Sequence, residues 1–165
     1  MNKYAKHLYV IPEDDADRQI AVGFVDHPQV KHTRIQVMPP AGGWTKVKDT
    51  FREEYLPRLR DYPGAHVVML IDFDGQVEER KLDFEQSIPA EFRSRVFVIG
   101  SKDTPERLKK EAKQSFEKIG ESLADECDAD AVELWDREQL VHNRVDRLRL
   151  VETVKPFLFE DADQT

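Results

Sequence analysis

The sequence predicts an α/β domain with a mainly parallel central sheet flanked by helices and a helical extension towards its C-terminal end. Three observations lead there. Short apolar runs bounded by turn residues, Leu8 to Ile11, His66 to Ile71 and Val96 to Ile99, read as buried strands. Helical patterns separate them, and such alternation marks a parallel sheet covered by crossover helices. Two of these runs also break off into acidic turns, Pro12-Glu13-Asp14-Asp15-Ala16-Asp17 and Asp72-Phe73-Asp74-Gly75. These turns lie at the strand ends where open α/β sheets form their ligand crevice.

Taken in order, Leu8 to Ile11 is the first strand, and Asp15 to Val25 is a helix with Ile20, Ala21 and Phe24 on its inner face. Arg34 to Met38 is a second strand, stopped by Pro39-Pro40 because proline cannot donate to a ladder. Gly42-Gly43 opens a loop, and Thr45 caps a helix to about Asp61 in which Val47, Phe51, Tyr55 and Leu59 recur at fours. Pro57 should kink it. Tyr62-Pro63-Gly64 turns the chain into His66 to Ile71, the most apolar strand and therefore the central one. After Val96 to Ile99 and Gly100-Ser101, the run Asp103-Thr104-Pro105-Glu106 combines a cap, a first-turn proline and a glutamate three residues after the aspartate. A helical stretch follows to about Glu126, which Ser115 and Gly120 can split. Ala131 to Trp135 is expected as a final strand. Arg137 to Phe159 is expected as an amphipathic helix with Leu140, Val145, Leu148, Val151 and Val154 apolar. The tail Glu160 to Thr165 is acidic and expected to fray.

At 165 residues the chain has the length of a single domain, 1–165, large enough to bury a core without staples. Its 33 acidic and 25 basic residues give a formal charge of -8, which argues against a general nucleic-acid-binding surface but leaves room for a local basic groove. The single cysteine, Cys127, can form no internal disulfide and reads as a packing residue. No signal or membrane segment is evident, so the expected setting is the cytoplasm.

The acidic turns carry the chemistry. Strand alternation places Asp72 and Asp74 on one side and Phe73 on the other, so both carboxylates can share a hard cation that Glu13 approaches from a neighbouring strand. A plainer account is available for each group. Asp-x-Asp-Gly also suits a tight turn, Glu13 to Asp17 also suits a helix N-terminus, and Glu106 also suits a capping position.

A strand ending in Glu13 with a second acid at Asp17, then a strand, a glycine-containing turn and a helix, then a strand ending in Asp72-x-Asp74, resembles the Toprim domain. That domain occurs in topoisomerases, bacterial primases and the OLD-type nucleases of phage defence. The resemblance spans about residues 7–110, with the helical extension covering about 111–160, and implies a Toprim/Rossmann-like fold. Pro40-Ala41-Gly42-Gly43-Trp44, Leu70-Ile71-Asp72-Phe73-Asp74, Phe97-Val98-Ile99-Gly100 and His142-Asn143 further resemble a group of small uncharacterised bacterial Toprim-like proteins. The resemblance implies Glu13 as general acid or base and metal ligand, Asp72 and Asp74 as ligands of Mg2+ or Mn2+, and Glu106 as a ligand of a second ion. Gly42, Gly43, Lys46, Lys48 and Lys102 lie near helix starts where phosphate can be met. The implied activity is metal-dependent cleavage or processing of DNA or RNA phosphodiesters, in phage defence by the same resemblance, alone or beside a partner protein such as an ATPase. The chain departs from the family pattern at Asp14, where glycine is usual, and in having only Gly42-Gly43 in its turn.

Two other readings compete. Val68 to Gly75 also resembles the first motif of haloacid-dehalogenase phosphatases, with Asp72 as nucleophile, Asp74 as acid and Ser101 as the second motif; Gln76 and the long upstream segment fit that pattern poorly. The small size and acidic charge suit a non-catalytic Toprim-like module that binds metal, nucleotide or another protein.

Overall fold

The computed structural model describes residues 1–160; the predicted frayed tail beyond Glu160 lies outside the described residues. The chain runs β1 (His7–Pro12), α1 (Asp15–Val25), β2 (Ile35–Val37), α2 (Trp44–Thr50), α3 (Leu56–Asp61), β3 (Ala65–Leu70), α4 (Val77–Gln86), β4 (Val96–Ile99), α5 (Pro105–Ala112), α6 (Phe116–Ala129), α7 (Arg144–Thr153) and α8 (Lys155–Leu158). The four strands form one all-parallel sheet in the order β2-β1-β3-β4. As the sequence predicts, the strands ending in the two acidic turns are neighbours, with Val10 opposite Val68 and Pro12 opposite Leu70.

Strand alternation divides the apolar residues between two cores. Leu8, Val10, Val68, Phe97 and Ile99 face α1, α6 and the C-terminal segment. Tyr9, Ile11, Val67, Met69, Val96 and Val98 face the helical run from α2 to α3, together with Phe84 of α4 and Phe92. A sheet covered on both faces needs near-continuous apolar strands, which is why the strands read so plainly. The crossing of α1 and α6 is close. A Cβ on Gly23 would lie 1.9 Å from the Glu117 carbonyl oxygen, and one on Gly120 would lie 1.8 Å from that of Ile20.

Several expectations are corrected. Ala131 to Trp135 is not a strand: both carboxylate oxygens of Glu126 accept from the Leu134 N–H at 2.9 Å, and Oε1 also accepts from that of Trp135, folding the segment into turns. Leu134 and Trp135 are still buried, in the first core. Arg137 to Phe159 is not one amphipathic helix. A short 3-10 turn at Val141–Asn143 precedes α7, which buries none of its residues, and Leu140, Val154 and Leu158 outside it carry the apolar contact. The helix after β4 ends at Ala112, where Lys113 turns left-handed, Ser115 caps α6, and Gly120 continues α6 as its contact with α1. The cap of α5 is Thr104, whose side chain accepts from the Arg107 N–H at 3.2 Å. Between α2 and α3 the helical path widens into a π-helical turn at Phe51–Tyr55, immediately before Pro57, which supplies no N–H. Among the described residues no helix is long and apolar enough to cross a membrane.

Two substitutions test this packing. Gly120→Ala forces backbone apart and should cost about 1–3 kcal/mol or more, read by urea unfolding. Leu148→Ser, at a side chain 52% exposed, should stay within about 0.5 kcal/mol of wild type; a core-sized loss there would restore the single amphipathic helix.

Candidate metal centre

The crevice is assembled where β1 and β3 run past their last paired residues. The Glu13 N–H donates to the Leu70 carbonyl at 2.9 Å, and the Asp72 N–H donates to Glu13 Oε1 at 3.2 Å, so the side chain of one strand end is tied to the backbone of the next. Asp14 caps α1, its Oδ1 accepting from the Asp17 N–H at 2.9 Å. Asp17 then lies in the first turn of α1 and is 1% exposed. Carboxylate oxygens of Glu13, Asp14 and Asp72 lie within 4.8 Å of one another.

Little in the chain offsets this charge. Burial pushes the Asp72 carboxyl up to about 8; a hydrogen bond from Asp17 lowers it, and the neighbouring Glu13 and Asp14 charges raise it further. Burial, followed by the charge of Asp72, holds Asp17 well above the ordinary aspartate range. Glu13 is raised by burial against the opposing hydrogen bond from the Asp72 N–H. Two carboxyls buried against one another resist ionising together, which is the physical reason both are raised. Asp17 Oδ2 and Asp72 Oδ1 are both buried without a hydrogen-bond partner.

A nearby cation is committed elsewhere. The buried guanidinium of Arg80 lies over the Trp44 ring at 4.5 Å, and its Nη1 donates to the Asp72 carbonyl and to Asp74 Oδ2, both at 2.7 Å. Among the described residues, no Lys or Arg forms an ion pair with Glu13, Asp14, Asp17 or Asp72.

The predicted site residues therefore divide. Glu13 and Asp72 come together, joined by Asp14. Asp74 does not enter the group: it and Gly75 both have positive φ, 49 and 76 degrees, and the Gln76 N–H closes the turn on the Phe73 carbonyl at 2.8 Å. This tight turn carries Asp74 out to Arg80, although its charge still raises Glu13. Glu106 also stands apart, exposed in the first turn of α5 beside Lys109, Lys110 and Lys113. Gly42 adjoins the crevice through its N–H, which donates to the Glu13 carbonyl at 2.9 Å. Gly43 is the N-terminal boundary residue of α2. Lys46 folds back so that its Nζ lies 3.8 Å from where a Cβ on Gly42 would stand. Lys48 is paired with Asp83 at 2.9 Å, and Lys102 with Glu138 at 3.2 Å.

Two features went unassigned on sequence. Asp17 had a signal: it sits three, four and seven residues before Ile20, Ala21 and Phe24, placing a carboxyl on the apolar face of its helix. Arg80 had none, since its partners are a backbone carbonyl and a turn aspartate. No family model matches the chain, and no curated protein or solved structure does so either, so the site stands on its own residues.

The pH dependence has a definite sign. An acid raised in the folded state favours folding fully below its unfolded pKa and loses that contribution as pH rises to the folded one. For Asp72 the window runs from the ordinary 3.8 to about 8. The metal-free protein should therefore lose stability across that range, and Asp72→Asn should flatten the loss, read by thermal melts. Mg2+ or Mn2+ should raise Tm more at pH 8 than at pH 5, with proton release in calorimetry. Asp74→Asn should retain most of that response, and Asp72→Asn should lose it.

Proposed function

We propose that this chain is a Toprim-like protein that processes phosphodiesters of DNA or RNA with a divalent metal held by Glu13, Asp14 and Asp72. The observation that carries this reading is a buried carboxylate group with an unpartnered oxygen and, among the described residues, no Lys or Arg ion-paired with it. The donor set fits: oxygen-only ligands of high charge suit Mg2+ or Mn2+ over softer metals. When bound, such an ion supplies positive charge to offset that developing on phosphoryl oxygens. The remaining work falls to side chains. Glu13, its carboxyl raised by burial and oriented by the Asp72 N–H, is suited to take or return a proton. Asp17, buried beside Asp72 and raised by that burial and by the charge of Asp72, adds to the acidity of the crevice with no Lys or Arg ion-paired to it among the described residues. Lys46, folded over Gly42, can meet a phosphate at the edge of the crevice.

The net charge of -8 disfavours tight solitary binding of a polyanion. Nucleic acid is therefore proposed as a substrate reached with the help of a partner protein such as an ATPase, in the cytoplasm. A second reading, the non-catalytic module, is favoured by the withdrawal of Asp74 onto Arg80, which leaves fewer ligands than a two-ion nuclease needs. The same withdrawal weighs against a phosphatase reading in which Asp74 is the acid.

A nuclease assay on plasmid, single-stranded DNA and RNA, with Mg2+ or Mn2+ and with or without proteins encoded beside this one, tests the proposal. Metal-dependent cleavage that Glu13→Gln abolishes while leaving the melting curve in place is the expected result. No metal-dependent cleavage in any combination would transfer the reading to the binding module.

A further inference from the structure

Helix α7 is docked the opposite way round from an ordinary surface helix. Its contacts with the sheet are polar: Asp146 Oδ2 accepts from the Val98 N–H at 3.0 Å, and Arg149 Nη2 donates to the Val96 carbonyl at 3.1 Å. Two of its side chains thus stand where a further strand would pair with the edge strand β4. Leu150 packs against the first core. Val145 and Leu148 point the other way, 67% and 52% exposed, and Val141 in the preceding turn is 42% exposed. These three recur at a four and a three and so form one apolar stripe, which Glu152 continues. A surface helix normally turns such a stripe towards its own core.

The charges beside the stripe identify what covers it. Arg144 and Glu152 are both exposed, and neither forms an ion pair among the described residues. Eight residues of helix set them about 12 Å apart, too far to meet within one chain. When two α7 helices are laid antiparallel about a two-fold axis at Leu148, each Arg144 comes beside Glu152 of the partner subunit, because both lie four residues from the axis. Leu148 then meets its own copy, and Val145 packs between Leu148 and the stem of Glu152 of the partner subunit. Two chains of formal charge -8 repel one another. Within α7, however, three arginines stand against Asp146 and Glu152, a net charge of +1, so this face adds little repulsion of its own.

We propose that the outer face of α7 is a self-association surface, on which two copies of this chain pair antiparallel through Val145 and Leu148 and are held in register by reciprocal Arg144–Glu152 ion pairs. A helix of ten residues is about 15 Å long, so the contact is smaller than a standard interface and the dimer is weak, with Kd roughly in the tens to hundreds of micromolar. The monomer folds without it, so Leu148→Ser remains neutral in dilute unfolding. The contact uses none of the crevice carboxylates and does not depend on the phosphodiester reading.

Sedimentation equilibrium of the full chain from about 5 to about 500 µM should show a reversible monomer–dimer equilibrium. Val145→Asp, at an exposed position, should keep the chain monomeric throughout. Arg144→Glu and Glu152→Arg should each weaken the dimer about three- to tenfold, since each sets like charges together at both ends of the contact. Both reversals in one chain should restore wild-type affinity, because two-fold pairing exchanges the two roles. Melting curves in dilute solution should match wild type for every variant, which separates loss of association from loss of fold. A monomer at every concentration would overturn the proposal and leave the stripe to a different protein. A dimer that persists in Val145→Asp, or a double reversal that fails to recover the affinity lost in the single variants, would overturn it too.

Discussion

Carboxyl groups buried against one another, with no Lys or Arg ion-paired to them among the described residues, are the constraint on which the crevice depends. Isolated charges of this kind are expelled from protein interiors or lose their charge. Here they are held because parallel pairing of β1 with β3 leaves Glu13 and Asp72 at adjacent strand ends, and because α1 begins immediately with Asp14 and Asp17. Burial raises Asp17 and Asp72 together, which favours protonation and relieves part of the repulsion. A divalent cation would relieve more of it, which ties the stability of the fold to the chemistry of the site.

The C-terminal segment makes this arrangement rigid from behind. Gly100 follows β4 so closely to Ile71 that a Cβ would stand 1.5 Å from the Ile71 carbonyl oxygen. Asn143 then grips Gly100 from both sides, its Oδ1 accepting from the Gly100 N–H at 3.1 Å and its Nδ2 donating to the Gly100 carbonyl at 2.9 Å. His142 donates to the same carbonyl from Nε2 at 2.7 Å, and burial lowers its pKa to about 4, so the ring stays neutral and the contact survives mild acid. One turn further out, Asp103 and Gln139 exchange two hydrogen bonds at 3.0 and 2.7 Å. The extension thus acts as a brace for the strand end next to Asp72.

Much of this was legible in sequence where a single physical rule governs the residue. Buried strands had to be apolar on both faces, so three of the four stood out, and the turn residues that end them marked the crevice. Glu13 and Asp72 followed from that placement. Legibility failed where side chains serve purposes outside the periodic pattern. Helix α4 escaped notice because its buried residues are only Arg80 and Phe84, which give no apolar stripe. Leu134 and Trp135 look like strand residues because they are buried, but Glu126 satisfies their N–H groups in place of a ladder. Asp74 could not be placed from alternation alone, because β3 ends at Leu70 and the chain turns with positive φ at Asp74 and Gly75.

The central claim is tested most directly by observing the carboxyl carbons of Asp17 and Asp72 in a 13C NMR pH titration, with and without Mg2+. The account predicts that without metal the Asp72 resonance titrates near 8, with Asp17 moving in concert, and that saturating Mg2+ brings the Asp72 transition far down in pH. An Asp72 that titrates in the ordinary aspartate range near 3.8, with Mg2+ leaving the curve unchanged, would contradict it.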